Sequence, residues 1–379
     1  MTEKRTPVSR SLRNEHGPAQ AASIPSRRGS IGAAIVLLSG LVCGTLGLAG
    51  SPSEPITWLA PSPQTEDGRF TNPVGGLLNA RLRTRLPFFW KRIAVTLHPR
   101  PGAARRAFEA PDVRAAAAPP LPRVTWVGHA TVLVELERAR FLTDPIWSRR
   151  ASPIPWLGPA RRVEPGLDFD ALPDIDFVLV SHSHFDHMDL PTLSRLAKRS
   201  ANTLFYVPLG NAALLRDQGI ENVIELDWTG RGSFNGLEIH CLPAQHWSKR
   251  SLTDTDKALW SSWAVIGPDR RFFFGGDTGY FSGFTEIGEA LGPFDLAALP
   301  IGAYEPTEIM HLTHMNPEEA IQAAVDLRAR SALAVHFGTF DLADEPLDEP
   351  PRRFLEAARR PDSSSLEAWV LDIGESRSF

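Results

Sequence analysis

Between Ser181 and Asp189 the chain reads Ser-His-Ser-His-Phe-Asp-His-Met-Asp, which places His182, His184, Asp186 and His187 within six residues. So many polar groups cannot each find a private partner in a core, whereas one or two divalent cations satisfy them together. The order His-x-His-x-Asp-His is far more specific than a histidine-rich tract, whose alternative reading is a solvated surface loop. Metal binding is therefore the chemistry to expect. Only Cys43 and Cys241 occur, so a four-cysteine site and a disulfide framework are excluded by count, and any ion must rely on imidazoles and carboxylates.

The elements that position this motif are legible around it. Ile175 to Val180 is apolar and rich in strand formers, so it reads as a buried strand that ends where the histidines begin. After the motif, Asp189 supplies a helix N-cap, Pro191 an early-turn proline, and Leu193, Leu196 and Ala197 one apolar face. Three more runs repeat the pattern of a strand delivering one ligand: Leu237 to Pro243 before His246, Arg271 to Phe274 before Asp277, and Ala332 to Val335 before His336. Taken singly, each of these residues is an ordinary structural group. Joined to the central motif they give seven candidate ligands, His182, His184, Asp186, His187, His246, Asp277 and His336, enough for two ions. Val124 to Leu136 and Phe141 to Pro145 also read as β-structure, joined around Glu137 to Arg140, with His129 in mid-strand as a pocket or supporting residue. The loop after Asp144, with Trp147, Arg149 and Trp156, reads either as the wall of a substrate groove or as aromatic packing on the core.

With 379 residues, 42% hydrophobic and 22% charged, the chain has the composition of a globular protein. Its formal charge of -4 lacks the basic excess of a phosphate-neutralising protein, and nucleic acid is not expected as a partner. Residues 1–50 read as an export signal or membrane anchor: Ser26-Arg27-Arg28 partly matches the twin-arginine pattern, and a mildly apolar stretch runs from Ile31 to Ala49. A buried helix of a cytosolic protein is the alternative. A bacterial cell-envelope location, periplasmic or membrane-anchored, follows from the first reading. Residues 51–122 read as a linker and N-terminal arm, closed by the Ala/Pro run from Ala115 to Pro122. Within it Arg81 to Ile93 interleaves basic and large apolar side chains, the mixture suited to an anionic lipid surface or to docking on the main domain, with Pro87 interrupting any long helix. Residues 123–379 read as the main domain. A homodimer is compatible with the sequence.

Several stretches together resemble the metallo-β-lactamase-fold hydrolases, and among them the N-acylphosphatidylethanolamine phospholipase D group. Besides the central motif they are Gly128-His129-Ala130-Thr131, Thr143-Asp144-Pro145, Glu225-Leu226-Asp227-Trp228, Gln245-His246-Trp247, Gly276-Asp277-Thr278-Gly279, Ile301-Gly302-Ala303-Tyr304-Glu305 and His336-Phe337-Gly338-Thr339. The resemblance runs from about Gly68 to the C-terminus. It implies an α/β fold, a four-layer αβ/βα sandwich, and two Zn²⁺ ions per chain. One ion is expected on His182, His184 and His246, the other on Asp186, His187 and His336, with Asp277 between them. The implied reaction is phospholipase D-type cleavage of a membrane phospholipid to phosphatidic acid and an N-acylethanolamine, with Asp186, Asp277 and His314 as catalytic residues. His314 stands before a helix that Asn316 caps and Pro317 opens, and the family carries a histidine at the matching position. The fold also hosts hydrolases of other phosphodiesters, lactones and esters, which is the alternative activity.

Overall fold

The computed structural model describes residues 60–74, 82–97, 119–363 and 365–379. Strands β1 (Arg123–Gly128), β2 (Thr131–Glu135), β3 (Arg140–Thr143), β4 (Phe177–Leu179), β5 (Leu204–Pro208) and β6 (Val223–Leu226) lie side by side in that order. The C-terminal β14 (Ser376–Ser378) completes this seven-stranded sheet beside β1. The second seven-stranded sheet holds β7 (Arg231–Phe234), β8 (Leu237–Leu242), β9 (Ser262–Ile266), β10 (Arg271–Phe274), β11 (Leu296–Pro300), β12 (Ser331–Val335) and β13 (Glu367–Trp369). Each sheet is antiparallel over its first strands and parallel thereafter: β3 to β6 run parallel in one, β10 to β13 in the other.

The period of two along the strands explains the layers. On β2 and β3, Val132, Val134 and Phe141 enter the core between the sheets, whereas Leu133 and Leu142 enter a second core on the outer face. That outer core is closed by Leu193 and Leu196 of α2 (Leu190–Arg199) and Leu215 of α3 (Ala212–Arg216). Against the second sheet lie α4 (Gly283–Leu291), α6 (Pro317–Asp326) and α7 (Glu349–Ala357), with the short α5 (Thr307–Met310) between α4 and α6 in sequence. The result is helices, sheet, sheet, helices: the expected αβ/βα sandwich. Trp126, Trp263 and Phe272 fill its centre with almost no exposure, and each large buried side chain contributes about 1.5–3 kcal/mol.

Local structure departs from the sequence reading at three places. His129 is not in mid-strand: β1 ends at Gly128 and β2 begins at Thr131, so His129 and Ala130 form the turn between them. His129 has φ 54, a left-handed conformation whose strain is offset by its bonds, since its N–H donates to Thr339 Oγ1 and its carbonyl accepts from His336 N and Trp126 Nε1. Pro87 does not interrupt the arm: it lies inside α1 (Leu82–Leu97). Proline there removes one helical bond, while ion pairs from Lys91 and Arg92 to Asp341 and Asp344 at 2.9–3.0 Å anchor the helix downstream. Asp189 stands at the N-cap of α2 but its carboxylate bonds Ser148 and the Thr192 hydroxyl instead of the helix N–H groups. By contrast Asn316 makes a full capping box with Glu319 at the start of α6, worth about 1 kcal/mol.

The expected export segment, residues 1–50, lies outside the described residues. Among the described residues no helix is long and apolar enough to cross a membrane.

Candidate metal centre

All seven residues proposed as ligands meet at one end of the two sheets. His182, His184, Asp186 and His187 follow β4, His246 follows β8, Asp277 follows β10 and His336 follows β12, so loops after strands of both sheets converge. Parallel strands put their carboxyl ends on one edge, and short connections keep the side chains near that edge.

The rings divide into two groups. In the first, His184 Nδ1 lies 2.8 Å from His182 Nε2 and 3.2 Å from His246 Nε2. His182 donates its Nδ1–H to Ser181 Oγ at 2.9 Å, and His246 donates its own to the Thr313 carbonyl at 2.9 Å. In both rings the lone pair therefore sits on Nε2 and points inward. In the second group, His187 Nε2 stands 3.1 Å from Asp277 Oδ2 and 3.3 Å from Asp186 Oδ2, and His336 Nε2 stands 3.1 Å from Asp277 Oδ1 and 3.5 Å from Asp186 Oδ2. Asp277 faces both groups, because its Oδ2 is also 3.9 Å from His246 Nε2.

This donor set fits divalent ions. The Nε2 atoms of His187 and His336 and Oδ1 of Asp277 are buried without a hydrogen-bond partner, which is costly in a protein interior unless a cation takes the lone pairs. Burial lowers the pKa of His184 to about 4 and holds His182 and His246 well below the ordinary imidazole value, so this trio is neutral at physiological pH. In the other group burial acts in the same direction, but Asp277 and Asp186 outweigh it and raise His187 well above the ordinary value and His336 to about 9. An ion entering there must displace protons. Metal uptake by the trio is thus expected to be nearly independent of pH between about 6 and 8, and uptake beside His187 and His336 to strengthen with pH up to about 9. Calorimetric titration of metal-free protein in buffers of different ionisation enthalpy checks this. Equal proton release on binding at the two positions would refute it.

Three residues brace the cluster, two of them beyond the expected site. Asp144, fully buried, accepts from His187 Nδ1 at 2.6 Å, from Ser181 N at 2.6 Å and from Ser181 Oγ at 2.5 Å. Because Ser181 Oγ in turn accepts from His182, this one carboxylate orients a ring in each group. Its signal in the sequence is its place at the end of β3, the strand beside β4. His129 Nε2 lies 2.9 Å from Asp186 Oδ2, a supporting position as expected. Arg250 braces the motif from outside, donating to the carbonyls of Ser183 and Met188 while its guanidinium covers the Phe185 ring at 4.1 Å. Nothing in the sequence marks it.

The cluster opens into a cavity of about 660 Å³ whose lining includes His184, Asp186, Asp277 and His314 at one end and Phe88, Ile309, Met310, Leu312 and Leu342 around it. His314 Nδ1 is 3.8 Å from Asp277 Oδ2, and its ring is edge-on to His246 at 5.0 Å. Of the aromatic loop only Ala151 lines this cavity; Trp147 packs edge-on to Phe169 instead. Tyr304 turns away as well, donating its hydroxyl to Glu349 at 2.8 Å.

The Beta-lactamase superfamily domain matches residues 139–337, from β3 through the ligand after β12. The chain belongs to the beta-lactamase superfamily. This hydrolase is 44% identical over 263 residues to the N-acyl-phosphatidylethanolamine-hydrolyzing phospholipase D 1 of Caenorhabditis elegans, covering 66% of this chain and 74% of the relative. It is 31% identical over 257 residues to a metal-dependent hydrolase of Methanopyrus kandleri, covering 67% and 98% of the two chains. In fold it is similar to Igni18, a metallo hydrolase from Ignicoccus hospitalis, with TM-score 0.52 and 23% identity over 68% of this chain and 97% of that one. The beta-lactamase superfamily member described here is accordingly a metal-dependent hydrolase, with phospholipase D relatives.

Proposed function

We propose that this hydrolase is a dinuclear zinc phosphodiesterase that cleaves N-acylphosphatidylethanolamine-like phospholipids to phosphatidic acid and N-acylethanolamine. The observation that carries the reading is the joining of the two-group His/Asp cluster to a largely apolar cavity: a charged reacting centre beside a wall for acyl chain is what a phospholipid needs. The relative from Caenorhabditis elegans supports the substrate class.

In this reading His182, His184 and His246 hold one ion, Asp186, His187 and His336 hold the other, and Asp277 lies between them. Ions bound there supply Lewis acidity toward a phosphoryl oxygen and a water made acidic enough to react near neutral pH. The protein's part is to place the phosphodiester. Asp186 is held toward the centre by His129, and Lys249 brings a positive charge to the cavity lining. The wall from Phe88 to Leu342 excludes water from the acyl side. His314 faces the cavity as a neutral imidazole, since burial lowers its pKa to about 4 despite the Asp277 charge. At neutral pH it therefore donates a hydrogen bond to the phosphate or to the departing alkoxide, and is not the reservoir of the proton. His314→Ala is expected to lower kcat about 10²-fold, and His314→Gln, which keeps a donor, to recover much of that. An unchanged kcat in the alanine variant refutes the role.

The reading also takes a membrane surface of the bacterial envelope as partner. It draws support from the apolar stretch Ile31 to Ala49 and from α1, which exposes Leu86 and Trp90 on one face and turns Phe88 to the cavity. The decisive experiment is mass spectrometry of products after incubating zinc-loaded protein with N-acylphosphatidylethanolamine in micelles and in anionic vesicles. N-acylethanolamine and phosphatidic acid in equal amounts establish the activity, and faster turnover on vesicles supports the surface. No turnover by protein holding two ions eliminates this substrate.

A further inference from the structure

We infer that the segment 60–74, which precedes the family's matched region, is a working part of the metal centre, with Asn72 as a positioning residue for His246. The inference rests on the reading that His246 holds an ion. β8 ends at Leu242, so His246 lies beyond the strand, and its N–H donates to the Asn72 side chain, at 2.8 Å. Both residues are buried. The neighbouring Gln245 side chain reaches back to the same segment, donating from Nε2 to the Val74 carbonyl at 2.8 Å and accepting from Val74 N at 3.3 Å.

The segment also grips the far end of the loop that follows His246. Phe70 is inserted in the main core, its N–H donates to the Asp256 carbonyl at 2.8 Å, and Arg69 donates to the Thr255 carbonyl. On the opposite side, Gln245 N donates to Thr278 Oγ1 and Gly279 N donates to the Gln245 carbonyl. Gln245 and His246 are thus clamped between the N-terminal segment and the loop carrying Asp277. Two bonds then fix His246: Thr313 sets which ring nitrogen carries the proton, and Asn72 sets where the backbone stands. Removing the Asn72 acceptor leaves a buried N–H unpaired, and the backbone shift that relieves it carries Nε2 away from the centre.

The test uses the full chain and cobalt as the probe, comparing wild type, Asn72→Leu, Asn72→Asp and His246→Ala. Stoichiometry, affinity by chelator competition and the visible cobalt spectrum are read for each, with the melting temperature of the metal-free forms. Asn72→Leu is expected to weaken one of two ions about 10–100-fold and to alter its spectrum while the other ion stays. Asn72→Asp, which keeps the acceptor, is expected to restore both. Two ions bound by Asn72→Leu with wild-type affinity and spectrum overturn the inference. So does equal loss of both ions in the leucine and aspartate variants together with a collapse in melting temperature, since that marks a purely structural segment. A wild type that binds cobalt no better than His246→Ala shows that the ligand reading itself fails, and the inference falls with it.

Discussion

Asp277→Asn is expected to reduce kcat by at least about 10³-fold and to lower the metal content from two ions toward one. The carboxylate faces both ring clusters, with one oxygen 3.1 Å from His336 and the other 3.1 Å from His187 and 3.9 Å from His246. Asparagine keeps the shape but removes the charge, and its amide hydrogens point where a ligand lone pair is needed. The same change removes the charge that raises His187 and His336 against their burial, so both rings give up their protons at lower pH in the metal-free variant. Metal analysis beside steady-state rates checks the prediction. A folded variant that keeps the wild-type metal content and more than about a tenth of the activity would falsify this role for Asp277.

Asp144→Asn follows from the same logic one layer out, at a residue that touches neither cavity nor substrate. Three donors converge on this carboxylate: Ser181 N on one oxygen, and Ser181 Oγ and His187 Nδ1 on the other. An asparagine amide satisfies Ser181 N with its oxygen and turns its NH₂ group toward His187. The ring must then carry its proton on Nε2, the atom that faces Asp277 and Asp186. A tautomer reversal of this kind costs about 10⁴-fold in a serine protease whose imidazole is oriented by a buried aspartate. Here it is expected to show as weakened metal binding and a matching loss of kcat/KM. Nitrogen chemical shifts of the metal-free variant, recorded at a pH high enough for His187 to be neutral, report the tautomer directly. A proton still on Nδ1 together with full activity contradicts the account.

Both predictions concern residues of very different visibility in the sequence. Asp277 was legible because a strand of three phenylalanines runs into Gly-Gly-Asp, repeating the pattern before His182, His246 and His336. Local signals suffice when a strand end hands its ligand straight to the sheet edge. Individual strands were legible as apolar runs bounded by turn residues, while the αβ/βα architecture came from the resemblance that the motifs carry to the metallo-β-lactamase-fold hydrolases. The Asn316 capping box is likewise contained within four consecutive residues.

The misses share the opposite cause. Asp144 and Ser181 are 37 residues apart and meet only because β3 and β4 pair in parallel. Asn72 reaches His246 across 174 residues, and Arg250 reaches Ser183 across 67. No spacing rule anticipates such contacts. His129 was assigned to a strand because its neighbours favour one, but Gly128 and the bonds to Thr339 and His336 make a turn there. Pro87 breaks helices by local rules, yet the distant carboxylates of Asp341 and Asp344 hold α1 together through it. The sequence alone determined which His and Asp residues are gathered at one edge and the strand ends that present them, because those depend on residue type and short-range periodicity. The tertiary structure decided how the rings are divided and oriented and what holds them, because a buried donor is satisfied by whichever group the fold brings within about 3 Å, at any distance along the chain.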